Sequence, residues 1–214
     1  GATATADRFG TTSKAVSFNG ASYLVTSTIS ALPVGSAPRT LSCWVRASRP
    51  LQTTDGSGSH VADWGMTGYA RGFGLMQFVG NTWWAYSWGY DADSGVTADA
   101  EWKHLVTTYD GTEMRIFVNG QLKGARFIDL NTQGTRFFIG VRADLRGYFA
   151  GDVDEVRVYD RPFSSSETAQ LYAFEKYDDF GLEGAATKSP FDPTTASNWS
   201  AGGTAWTVDT TVTH

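Results

Sequence analysis

Asn19-Gly20, Asp110-Gly111 and Asn119-Gly120 each stand beside short segments rich in β-branched and aromatic residues. Such dipeptides supply the positive-φ residues that a two-residue hairpin turn needs. Several of them in one chain constrain it towards antiparallel strands. The first predicts a hairpin of 14–18 with 22–26. The second ends a strand over 102–109, and the third joins 113–118 to 121–125. Residues 40–47 alternate, with Leu41, Cys43 and Val45 on one face and Ser42, Trp44 and Arg46 on the other, the period of a strand. Residues 72–78 and 82–90 read as a further pair, and 136–141 and 153–159 complete the set. Residues 48–60 and the acidic stretch 91–101 read as loops. One helix is expected over 165–176, because Ser164 and Glu167 have the spacing of a capping box.

Aromatic residues make up 14% of the chain and charged residues 18%. The first figure suits strands and the second excludes a charge-driven disordered chain. Short connections between many short strands are met most economically by an all-β, antiparallel two-sheet sandwich. It is expected over residues 1–177, with one short C-terminal helix. Residues 178–214 shift towards Gly, Ala, Ser, Thr and Pro. They read as an extension that returns to the sandwich as a strand or serves as a linker, and that offers a route to self-association. The formal charge is −5 with no basic block, which argues against nucleic acid as partner. No apolar run is long enough for a membrane span. Cys43 is the single cysteine, so neither a disulfide framework nor a cysteine-based zinc site is expected.

Four stretches resemble one known family. They are Ala15–Gly20 with Tyr23-Leu24-Val25; Thr40–Arg46; Trp102–Gly111 running on through Arg115–Gly120; and Gly147-Tyr148-Phe149 leading into Gly151–Arg161. In order and spacing they resemble laminin G-like, concanavalin A-like lectin and glucanase domains, over roughly residues 13–174. The resemblance implies a jelly-roll sandwich whose first and last strands, 15–20 and 153–160, are antiparallel neighbours. It also implies a lectin, adhesion module, carbohydrate-binding module or glycosidase. Calcium sites are common in the family, so Asn19, Asp152 and Asp154 at one sheet rim are expected ligands for a structural Ca²⁺. The competing reading leaves Asn19 to make its turn and the aspartates to cap the sheet edge or pair with arginine.

Catalysis is not expected. Glycosidases on this fold present carboxylates at i, i+2 and i+4 on one strand. Asp152 and Asp154 share a face, but positions 150 and 156 are Ala and Val. A glycan partner is expected instead. Trp84, Tyr86, Trp88 and Tyr90 alternate along 82–90, and exposed rings stack on sugar C–H faces. Asp63, Arg71, Gln77 and Asp91 are the nearby polar candidates. The same stripe also fits a buried core, since one face of the strand must be core. The leading expectation is a non-catalytic carbohydrate-binding or adhesion module excised from a larger extracellular protein. The alternatives are an assembly domain of a surface or coat protein, and a glycoside hydrolase.

Overall fold

The computed structural model describes residues 1–51, 56–177, 198–201 and 204–207. Its strands are β1 (Thr3–Thr5), β2 (Ala15–Asn19), β3 (Leu24–Thr26), β4 (Arg39–Ala47), β5 (Ser59–Gly65), β6 (Gly72–Phe78), β7 (Thr82–Tyr86), β8 (Ala92–Thr97), β9 (Lys103–Tyr109), β10 (Glu113–Val118), β11 (Gln121–Phe127), β12 (Phe137–Ile139), β13 (Ala150–Tyr159), β14 (Asn198–Ala201) and β15 (Thr204–Thr207), with one helix, α1 (Ser165–Glu175). They form two antiparallel sheets. The first runs β1-β2-β13-β4-β9-β10-β11 and the second β15-β14-β3-β12-β5-β6-β7-β8. This is a jelly-roll-like sandwich.

Alternation fills the layer between the sheets. Leu41, Cys43 and Val45 of the first sheet meet Ala62, Trp64, Phe73 and Leu75 of the second in one core cluster. Cys43 is fully buried there, and burial pushes its thiol far above the usual range. The outer face of the first sheet is covered as well. Trp44 stacks on Tyr172 of α1 at 5.8 Å and donates its indole N–H to Glu175 Oε2 at 2.7 Å. Ser164 caps α1 with the full reciprocal box, as its spacing predicts.

The first and last strands of the family pattern are neighbours, since β13 pairs with β2 from Ala150↔Asn19 to Val153↔Val16. Three expectations are corrected. Asn19-Gly20 does not join hairpin partners, because β2 lies in the first sheet and β3 in the second. Asn19 Oδ1 accepts the Ala21 N–H at 3.0 Å, and the turn carries the chain across the sandwich so that Phe18 and Leu24 both reach the core. The acidic stretch 91–101 contains β8, whose Trp84↔Asp93 and Ala85↔Ala92 pairs extend the second sheet. The strand expected over 82–90 stops at Tyr86. Of the extension, only the backbone of β14 and β15 lies within the described residues. β14 pairs antiparallel with β3; residues 178–197, 202–203 and 208–214 lie outside.

Candidate functional site

Four connections gather at one end of the sandwich. They are 66–71 between β5 and β6, 87–91 between β7 and β8, 110–112 between β9 and β10, and the segment after β11. Backbone hydrogen bonds tie three of them together. Asn131 N–H donates to Ala70 at 2.8 Å, and Ile128 N–H donates to Thr112 at 2.9 Å. From the core, the Tyr109 hydroxyl donates towards the Gly111 carbonyl at 2.7 Å and the Ile128 carbonyl at 3.0 Å, while accepting the Leu130 N–H at 3.1 Å. Three backbone partners fix the mutual position of two connections with one oxygen.

Between these connections lies an open groove of about 550 Å³, lined by Ala70, Tyr90, Thr112, Phe127, Ile128 and Asp129. That volume lies within the range of roughly 300–1,000 Å³ for small-molecule sites. Phe127 is 77% exposed, Tyr69 74% and Tyr90 44%. Tyr69 and Tyr90 meet edge to face at 6.1 Å. Apolar rings left this open at one place, beside a polar rim, mark a contact surface.

The 87–91 turn sets Tyr90 in place. Trp88 and Gly89 both have positive φ (62° and 91°). Asp91 accepts the Ser87 and Gly89 N–H groups at 2.7 and 3.2 Å. A Cβ on Gly89 would lie 2.6 Å from the Tyr69 ring, so the glycine is the bed on which Tyr69 rests. On the other side of the turn, the Arg142 guanidinium lies 4.4 Å from the Trp88 ring centre. Arg142 is itself held by both carboxylate oxygens of Asp144, at 2.8 and 3.0 Å.

The expected aromatic stripe is therefore divided. Tyr90 enters the groove, Arg71 is exposed next to Ala70, and Asp91 shapes the turn. Trp88 belongs to the turn and is half-buried under Arg142. Trp84 is half-buried on the outer face of the second sheet, its N–H given to Thr82 Oγ1 at 2.8 Å. Tyr86 is buried, its ring lying where a Cβ on Gly72 would be, 2.4 Å from a ring carbon. Asp63 is fully buried against His60, Oδ2 to Nδ1 at 2.6 Å. Burial raises its carboxyl above the usual range. Gln77 is buried and donates to Asn81 Oδ1 at 2.7 Å. Tyr69, Phe127, Thr112 and Asp129 had not been expected. Tyr69, Thr112 and Asp129 are placed by loops and Phe127 by a strand exposed on both faces, and strand periodicity carries neither.

The expected calcium ligands do not fit an ion. Asp154 pairs with Arg8 at 2.9 Å and Asp152 with Arg46 at 2.7 Å, while Asn19 Oδ1 closes its own turn. Each donor atom set faces a different N–H donor, and both carboxylates already have a cation. No group of three or more His, Cys, Asp or Glu is placed to hold a metal among the described residues.

A family model described as the concanavalin A-like lectin/glucanases superfamily matches residues 18–169. No curated protein matches the chain. Among solved structures, domain 4 of AbnA, an extracellular arabinanase from Geobacillus stearothermophilus in complex with arabinotriose, is 20% identical. It aligns over 80% of this chain and 87% of its own at a TM-score of 0.58. A heptameric SAP-like pentraxin from Limulus polyphemus is 12% identical over 73% and 80% of the two chains, at 0.56. The binding domain of Paraclostridial Mosquitocidal Protein 1 is 16% identical over 80% of this chain and 45% of its own, at 0.59. At these identities the likeness concerns the fold.

Proposed function

We propose that this chain, which belongs to the concanavalin A-like lectin/glucanases superfamily, binds a carbohydrate chain without cleaving it. The observation that carries the reading is the open groove lined by the exposed rings of Tyr90 and Phe127, with Tyr69 edge to face on Tyr90. Rings at a shallow rim stack on the C–H faces of sugars. An open groove buries only part of a ligand, which suits modest affinity. The arabinotriose complex of domain 4 of the arabinanase supports the ligand class. Asp129 is the one carboxylate lining the groove, whereas glycosidic hydrolysis needs a facing pair. An extracellular place of work, where polysaccharides are met, belongs to the same proposal.

Tyr90→Ala and Phe127→Ala should each weaken retention on an immobilised polysaccharide at least about tenfold, equal to 1.4 kcal/mol. Their melting temperatures should stay near that of the parent, because both rings are exposed. Full retention by both variants, or release of reducing ends by the parent protein, would overturn the reading. The proposal places no calcium at Asn19, Asp152 and Asp154. A chelator should leave the melting midpoint where it was, and a fall of several degrees would restore the ion.

Self-association is the second reading; β14 pairs with β3 within this chain, and the same edge of the second sheet would accept that strand from another copy. Sedimentation of the full chain against one ending at Tyr177 decides between them, since equal masses remove self-association.

A further inference from the structure

We propose that the groove selects neutral saccharides, with Asp129 taking two neighbouring ligand hydroxyls and excluding chains that carry uronic acids. The inference rests on the binding role proposed above and adds the ligand's charge class. Asp129 is exposed and is the only charged side chain among the groove-lining residues. Among the described residues it has no ion pair or hydrogen bond that would occupy it. An ionised carboxylate only accepts hydrogen bonds, and its two oxygens suit two donor hydroxyls on adjacent sugar carbons. Stacked rings hold the sugar's apolar face, and Asp129 is left to fix its polar edge.

Among the described residues, no side chain that lines the groove is a cation. Beside Thr112, Asp110 and Glu113 share the single guanidinium of Arg115. Arg126 precedes Phe127 on β11, and neighbouring residues of a strand point to opposite faces. Arg71 runs along Gly68, where a Cβ would touch its Cδ at 3.2 Å. A uronate entering the groove would meet Asp129 at close range without compensation, and like charges in partly desolvated contact repel.

The test is calorimetric titration of the whole chain with neutral arabino-, xylo- and gluco-oligosaccharides and with oligogalacturonate of equal length. The parent protein should bind at least one neutral chain, and oligogalacturonate about tenfold or more weakly. Asp129→Asn should weaken the neutral ligand roughly tenfold and narrow the gap, because the repulsion is gone. Asp129→Lys should reverse the preference. Equal binding of both classes by the parent protein, or an unchanged ratio in Asp129→Asn, would overturn the inference while leaving the groove as the site. Binding of no saccharide at all, with Tyr90→Ala equally silent, would sink the underlying reading and this one with it.

Discussion

Gly124 shows how much a single missing side chain decides. It lies on β11 opposite Ile116, and a Cβ there would stand 2.2 Å from the carbonyl oxygen of Asp93 on β8. The edges of the two sheets approach each other at this point, backbone against absent side chain. Gly124→Ala must push β8 or β11 outward, and such overpacking costs about 1–3 kcal/mol. Thermal melting should register it, and an unchanged midpoint would mean that the edges part freely. Legibility at this scale was uneven. Cys43 was readable as a core residue because its neighbours alternate, and it is fully buried. Phe127 was not, because it ends a strand whose residues are exposed on both faces. Asp63 lies near the aromatic stripe in sequence, yet His60 claims it in the interior. Sequence neighbours do not reveal whether a polar side chain on a sheet faces water or a covering loop.

At the scale of elements, strands and the helix were legible where local chemistry is sufficient. The capping box of α1 and the Asn119-Gly120 hairpin between β10 and β11 both form where their residues call for them. Asn19-Gly20 has the same turn chemistry, but its flanking strands part into different sheets, because pairing depends on the whole sandwich. On the proposed reading, the 87–91 turn is the element that places the ligand-facing rings. Its outer side carries Trp88 beneath Arg142, and its other residues support Tyr69 and Tyr90. Arg142→Gln removes the cation above the ring and the two-pronged bond to Asp144. We expect a loss of saccharide affinity of about fivefold or more, since a cation–π contact is worth about 0.5–2 kcal/mol. Arg142→Lys should recover part of it. Equal affinity of parent and Arg142→Gln would show that the turn holds its shape without the brace.

For the molecule as a whole, pH acts through the buried ionic cluster under α1. Burial pushes Asp154 and Glu175 up to about 7, against an unfolded range near 4. The folded chain therefore holds protons that the unfolded chain has released. Their contribution to stability is complete below about pH 4 and is lost as pH rises through 7. His104 acts the other way. Burial, then the charges of Arg157 and Arg8, lower it to about 3, so its contribution is lost as pH falls from its unfolded value near 6.5. Two carboxyls outweigh one imidazole. The melting temperature should decline between pH 5 and 8, and Glu175→Gln should flatten the decline. A midpoint that climbs over this interval would show that the carboxyls ionise freely in the fold.

The groove has one wall from each layer: Ala70 and Tyr90 from connections of the second sheet, Thr112 and Phe127 from the first. A sugar in contact with both walls acts as a clasp across the mouth of the sandwich. Prying the layers apart then means letting go of the sugar, so occupancy and resistance to heat rise together. The rim proposed to hold the ligand is thus also a seam of the fold, and a ligand can be sought by watching which sugar keeps that seam shut.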